Sequence, residues 1–137
     1  MAAETATDQI AELLNKAKTI AVVGMSSSPM RPSYGVAAYM QANGYRIIPV
    51  NPNINGALGE KSYPDLKSIP EKIDIVNVFR KPEFVAEVVD EAIALKVPCV
   101  WMQEEVVHEE AAAKARAAGI LVVMDECILK EHRRRNR

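Results

Sequence analysis

The chain has 137 residues and a formal net charge of −1, with 49% apolar and 26% charged residues. That length suits one domain burying about two-thirds of the surface of its unfolded chain, and the near-neutral balance argues against a nucleic-acid binder, whose affinity rests on a basic surface. Cys99 and Cys127 form no CxxC, His108 and His132 give no zinc set, no run approaches a bilayer span, and no secretory leader opens the chain, so a cytoplasmic protein without metal, nucleic-acid or membrane partners is expected.

Residues 8–17 carry Ile10, Leu13, Leu14 and Ala17 at helical spacing, with Thr7 or Asp8 as the cap. Ile20 to Val23 is a short apolar run ending at Gly24, the pattern of a buried parallel strand. A loop of Ser26, Ser27, Ser28, Pro29, Arg31 and Pro32 follows, and Ser33 reads as the N-cap of a helix over about 34–43 that turns Val36, Ala37, Tyr39 and Met40 inward. Asn43-Gly44 closes that helix. A strand, a glycine, a hydroxyl-rich loop and a helix N-terminus make an anion site, because unpaired N–H groups and the positive helix end face the same point. Arg31 adds a planar, fully charged fork, so the first reading is a phosphate-bearing ligand over this loop.

Tyr45 to Val50 forms the second strand and runs into Asn51-Pro52-Asn53. The 22-residue connection from Asn51 to Lys72, punctuated by Gly56, Gly59, Pro64 and Pro70, is expected to be irregular, with a short strand or turn near Tyr63. Ile73 to Phe79 is the third strand, and Arg80-Lys81-Pro82 turns into a helix over about 83–96 that buries Phe84, Val85, Val88, Val89, Ile93 and Leu95. Val97 to Met102 is the fourth strand, Glu105 to Ala118 a helix closed by Gly119, and Ile120 to Met124 the fifth strand. The basic tail, about 130–137, is expected to be a solvated end. This βαβ rhythm predicts an α/β fold, a doubly wound sheet of about five parallel strands with helices on both faces. Such sheets bind ligands beyond their strand C-termini, here Gly24, Val50-Asn51, Phe79-Arg80, Gln103 and Asp125.

The first turn is not G-x-G-x-x-G, since Ser26 stands at the second glycine and no third one follows. The second strand ends in Val50-Asn51-Pro52 rather than in the acidic residue that binds the ribose of NAD. Both absences count against NAD, and no P-loop pattern is present.

The sequence resembles the single-domain coenzyme A-binding proteins, which are similar to the CoA-binding domain of the succinyl-CoA synthetase α subunit. The resemblance rests on Gly24-Met25-Ser26, Arg31-Pro32-Ser33-Tyr34, Gly44 to Pro52, Val78-Phe79-Arg80, Trp101-Met102-Gln103 and Val123 to Cys127, and covers about residues 10–133. It implies a single Rossmann-like domain over residues 1–137 with coenzyme A at the strand ends. It places Gly24, Met25, Ser26, Arg31 and Ser33 on the diphosphate, Pro49, Asn51 and Pro52 beside the adenosine, and Phe79 and Arg80 on the ribose or pantetheine side. Two departures stand out. The family continues Gln-Leu-Gly where this chain has Gln103-Glu104-Glu105, and has Met-Asp-Arg-Cys where this chain has Met124-Asp125-Glu126-Cys127. Carboxylates there weaken an anionic ligand if they face it.

Each site residue also has a structural reading. Gly24, Ser26 and Ser33 could only shape a turn and cap a helix, Arg31 could be a solvated charge, Arg80 could pair with Glu83, and Pro49 and Pro52 could stiffen a strand exit. A mixed disulfide between Cys127 and CoA is the sharp alternative to an inert buried thiol, which is favoured. Cys99 is expected in the core, Trp101 in the core or a subunit contact, and His108 on the surface. The synthetase's phosphohistidine belongs to a second domain that this sequence does not contain. The expected function is a CoA or acyl-CoA binding module without catalytic residues, acting as carrier, sensor or regulatory partner. The alternatives are an NAD(P)-linked oxidoreductase, a CoA-dependent transferase, or a CoA-binding subunit of a larger acyl-CoA ligase or transferase complex. A homodimer or a partner acyl-CoA enzyme is compatible with the sequence. Catalysis is disfavoured because no nucleophile–base pair, carboxylate pair or metal set is legible, Asp125 and Cys127 being weak candidates.

Overall fold

The structure of the protein, a computed structural model, describes residues 8–136. Apolar residues alternate between two faces along each central strand, and this alternation builds two cores. In β1 (Thr19–Val23), Ala21 and Val23 face one side while Ile20 and Val22 face the other. The same division holds in β5 (Ile75–Val78) and β6 (Cys99–Met102), where Val76, Val78, Val100 and Met102 oppose Ile75, Cys99 and Trp101. Strands buried on both faces are the consequence, each buried aliphatic side chain contributing roughly 1.5–3 kcal/mol.

The helices close the two faces. The α1 (Gln9–Lys16), α2 (Pro32–Ala42) and α5 (Ile128–Arg135) helices cover the Trp101 side through Leu14, Ala37, Met40 and Ile128. The α3 (Val85–Ala94) and α4 (Glu109–Ala117) helices cover the Met102 side through Val85, Val88, Val89, Ala92, Ala111, Ala112 and Ala115. With β2 (Arg46–Val50) and β7 (Leu121–Val123), the parallel sheet has the order β2-β1-β5-β6-β7. This is the expected five-stranded, doubly wound α/β fold. The order reverses between β1 and β5, which opens a crevice at their C-terminal ends.

The long connection is organised by hydrogen bonds to the β2 edge. It contains the two-residue strands β3 (Gly56–Ala57) and β4 (Glu60–Lys61) and a 3-10 turn over Leu66–Ser68. Tyr63 bridges in parallel to Val50, donating its N–H to the Pro49 carbonyl (3.0 Å) and accepting from Asn51 N–H (2.8 Å). The polar groups of residue 49 therefore point away from β1, and a proline lacking an N–H is tolerated there.

Several boundaries differ from expectation. Arg31, not Ser33, is the N-cap of α2, with Pro32 at the first position; the Ser33 hydroxyl turns back to the preceding loop instead. At α1, Asp8 is the cap and accepts from Ala11 N–H (3.3 Å), while Thr7 lies outside the described residues. The third strand is two residues shorter at its start because Asp74 accepts from the Lys18 and Thr19 amides. Phe84 and Leu95 are exposed, not buried, since a 3-10 turn at Pro82–Phe84 precedes α3 and Leu95 follows its end. The α4 helix begins four residues later than expected, where His108 Nδ1 accepts from Ala111 N–H (3.0 Å). The basic tail folds into the α5 helix, with Ile128 and His132 buried on one face, Arg135 half-buried beside them, and Arg133 and Arg134 exposed. His132 Nδ1 meets the Tyr39 hydroxyl at 2.8 Å, and its ring stands edge-on to Tyr39 and Tyr45.

Candidate functional site

The three strands that meet at the crevice are joined at their ends. Gly24 N–H donates to the Val50 carbonyl (2.9 Å) and Phe79 N–H to the Val23 carbonyl (2.8 Å), so the exits of β2, β1 and β5 lie side by side. Gly24 has φ +84°, and a Cβ there would lie 2.8 Å from both the Phe79 carbonyl oxygen and Arg80 Cδ. Only glycine allows the chain to leave β1 this close to β5.

The loop after Gly24 is a ladder of hydroxyl–amide bonds. Ser33 Oγ accepts from Ser26 N–H (2.9 Å), Ser26 Oγ from Ser28 N–H (3.0 Å), and Ser28 Oγ from Met30 N–H (3.4 Å). Each hydroxyl here acts as acceptor, so its own O–H remains a donor. Asn51 ties β2 to the same loop: its Nδ2 donates to the Met25 carbonyl (2.9 Å) and its Oδ1 accepts from Asn53 N–H (2.9 Å). The Met25 side chain is fully buried in the Trp101-side core. Met25 and Ser33 thus shape the loop from within, while Arg31 and Pro52 are exposed and Ser26 and Asn51 half-buried. Pro49 is buried within β2 opposite Val22.

A groove of about 440 Å³ lies over this junction, lined by Gly24, Arg31, Asn51, Pro52, Phe79, Arg80, Lys81 and Phe84, among others. Three of its lining residues are cationic and none is a carboxylate. The Arg80 guanidinium sits 4.2 Å from the centre of the Phe84 ring, a stack that holds it over the groove. Among the described residues Arg80 forms no ion pair, so the alternative of pairing with Glu83 is not realised. Phe84, exposed by 37%, is a lining residue that helical periodicity assigned to the core. Its position after Pro82, in the 3-10 turn, was the local signal.

A second groove of about 440 Å³ continues across β5 and β6, sharing Phe79, Arg80 and Lys81 and adding Pro32, Gln103, Glu104 and Glu105. Glu105 has φ +70° in the turn closed by Val106 N–H on the Gln103 carbonyl (2.9 Å), a backbone state that favours the glycine of the family pattern. Its N–H donates to Asp125 Oδ1 (2.7 Å), and Asp125 also has positive φ, at +61°. Glu104 is paired with Lys130 at 2.8 Å. Glu126 lines neither groove; burial, then the nearby Glu131, pushes its carboxyl above the usual range. Cys127, 6% exposed, also lines neither, which favours the inert reading of its thiol. Cys99 lies fully buried, and burial pushes its thiol far up. Trp101 is in the core and donates its Nε1–H to the Glu126 carbonyl (2.9 Å).

A parallel sheet whose order reverses between β1 and β5, covered by helices on both faces, places the chain in the Rossmann-like α/β class. The CoA binding domain family matches residues 18–133, and the chain belongs to it. It is 46% identical over 124 residues to YneT, an uncharacterised protein of Bacillus subtilis strain 168, covering 90% of this chain and 92% of that one. A hypothetical protein of known structure from Pyrococcus horikoshii OT3 superposes with a TM-score of 0.90 at 39% identity, covering 93% of this chain and 89% of the other. A 76-residue stretch is 33% identical to the ADP-forming acetate–CoA ligase II of Archaeoglobus fulgidus, covering 54% of this chain but only 11% of that ligase. Among the described residues no helix is long and apolar enough to cross a membrane.

Proposed function

We propose that the protein binds coenzyme A or an acyl-CoA along the C-terminal edge of its sheet, as a binding or regulatory module that performs no chemistry of its own. The observation that carries this reading is the groove over Gly24, with Arg31, Arg80 and Lys81 around it and no lining carboxylate. A polyanion fits such a lining, since guanidinium forks take phosphate oxygens through paired N–H donors. The diphosphate lies over Gly24 and the Ser26 loop, next to the start of α2, where the hydroxyl proton of Ser26 and the helix end favour negative charge. The adenosine lies against Asn51 and Pro52, and the pantetheine arm leaves past Phe79 and Arg80. Met25, Ser33 and Pro49 support these contacts from behind. This assignment covers the whole chain as a single domain in the cytoplasm.

An NAD(P)-linked oxidoreductase fits less well. Both polar ends of the Asn51 amide are occupied by the Met25 carbonyl and the Asn53 amide, and no acid stands there for a ribose. A role as the CoA-binding subunit of a larger ligase is favoured by one observation, the match to a segment of the Archaeoglobus ligase. Titration calorimetry with CoA, and with NAD, NADP and ATP for comparison, tests the reading. Saturable binding of CoA alone, weakened about tenfold or more by Arg31→Ala and by Arg80→Ala, is expected from the loss of one charge-assisted contact each. Tight NAD binding with no CoA response would overturn it.

A further inference from the structure

The second groove holds a polar group that the residues of the first do not explain. Gln103 is only 5% exposed, at the end of β6. Its Oε1 accepts from Ile128 N–H (2.9 Å) and from Asn77 Nδ2 (3.2 Å). Backbone groups fix both amides. The Ile128 N–H demands an acceptor from Gln103, and the Trp101 carbonyl demands a donor from Asn77 (3.3 Å), so neither side chain can be turned round. Gln103 Nε2 therefore faces the opposite way, and no group among the described residues accepts from it. No fully buried side-chain nitrogen or oxygen among the described residues is without a partner, so this Nε2 reaches the surface, where Gln103 lines the groove together with Pro32 and Phe79.

We propose that Gln103 is a specificity residue whose Nε2–H groups donate to a carbonyl oxygen on the arm of the ligand that crosses this groove. The class of ligand group is an amide or thioester carbonyl, a neutral acceptor with no proton of its own. An ammonium, which only donates, leaves a nearly buried donor unpaired, and an anionic end group meets Glu104 and Glu105 in the same groove. The proposal rests on the coenzyme A reading above and extends it from the phosphates to the arm.

The variant that tests it is Gln103→Glu. It keeps an oxygen for Ile128 N–H and Asn77 Nδ2 and replaces the donor facing the groove with an acceptor. Binding is titrated with CoA, acetyl-CoA and adenosine 3′,5′-bisphosphate, which keeps the adenosine with its 3′- and inner 5′-phosphates but has neither the outer phosphate nor the arm. The expected result is that CoA and acetyl-CoA weaken about tenfold or more, the worth of a buried hydrogen bond turned into a repulsion, while the bisphosphate changes less than about threefold. A larger loss for acetyl-CoA than for CoA supports the thioester carbonyl as partner, and an equal loss supports an amide of the pantetheine. Equal weakening of the bisphosphate and CoA would show only the added charge and would overturn the proposal. In the wild-type protein the Gln103 side-chain amide signals in a ¹⁵N spectrum are expected to shift with CoA and not with the bisphosphate; no shift with bound CoA overturns the proposal without any variant. Failure of the wild-type protein to bind either compound would instead sink the coenzyme reading itself.

Discussion

Gly24 carries two constraints at once, a left-handed backbone and a Cβ position already filled by the Phe79 carbonyl and Arg80 Cδ. The backbone oxygen belongs to the exit of β5, which the Phe79 N–H ties to the Val23 carbonyl of β1, whereas the Arg80 side chain can swing away. Gly24→Ala is therefore expected to cost about 2 kcal/mol and to displace Arg80 from the groove, weakening CoA binding as well as lowering the melting temperature. Thermal melts and calorimetry on the same variant check both effects, and unchanged stability would mean that the β1 exit is looser than the geometry requires. Sequence showed this glycine as the end of a strand. It could not show Phe84 turned outward under Arg80, because the 3-10 turn at Pro82–Phe84 shifts the residue off the helical face on which its spacing places it.

At the scale of elements, α5 shows how a charged segment becomes structural. Arg134 is anchored by Glu131 and Arg135 by both Glu131 and Asp8, while Ile128 and His132 dock one face onto α2 and the core. Burial favours the neutral imidazole and holds the His132 pKa below its ordinary value of 6.5. The unfolded chain then binds the proton more readily than the folded one. The contribution of this contact is full above the ordinary value and is lost as pH falls below it through the lowered folded value. Melting temperatures at pH 7.5 and 5.5 are expected to differ more in the wild-type protein than in His132→Gln, which keeps a polar partner for Tyr39 but does not titrate; equal differences would remove His132 from the account. The long excursion after β2 is pinned in a comparable way. Arg46 pairs with Glu60 (2.8 Å) and Glu71 (2.5 Å), and its hydrogen bond holds the Glu71 carboxyl below the usual range.

For the molecule as a whole, the C-terminal edge of the sheet gathers strand ends, loops and two left-handed non-glycine residues, Glu105 and Asp125. A ligand spanning Gly24 to Gln103 would bridge the ends of β1, β2, β5 and β6 and stabilise the folded state by mass action. At a hundred times its dissociation constant, CoA is expected to add about 2.7 kcal/mol and to raise the melting temperature by roughly 5–10 °C. Differential scanning fluorimetry measures this directly, and a melting temperature unmoved by millimolar CoA would contradict binding to the folded edge.

The sequence by itself determined the strand–helix alternation, the doubly wound sheet, the glycine exit of β1 and the loop that follows, because each depends on local patterning: apolar runs, a helix start and residues that fix the backbone. Through the family resemblance it also marked Glu104 and Glu105 as departures after the fourth strand. Only the tertiary structure decided which hydroxyls are acceptors within the loop, that Asn51 braces the loop, that the basic tail folds onto α2, and that Arg31, Arg80 and Lys81 converge on one groove while Glu126 stays outside it. These properties join residues from separate elements, and their positions follow from strand order and helix docking, which spacing along the chain does not encode.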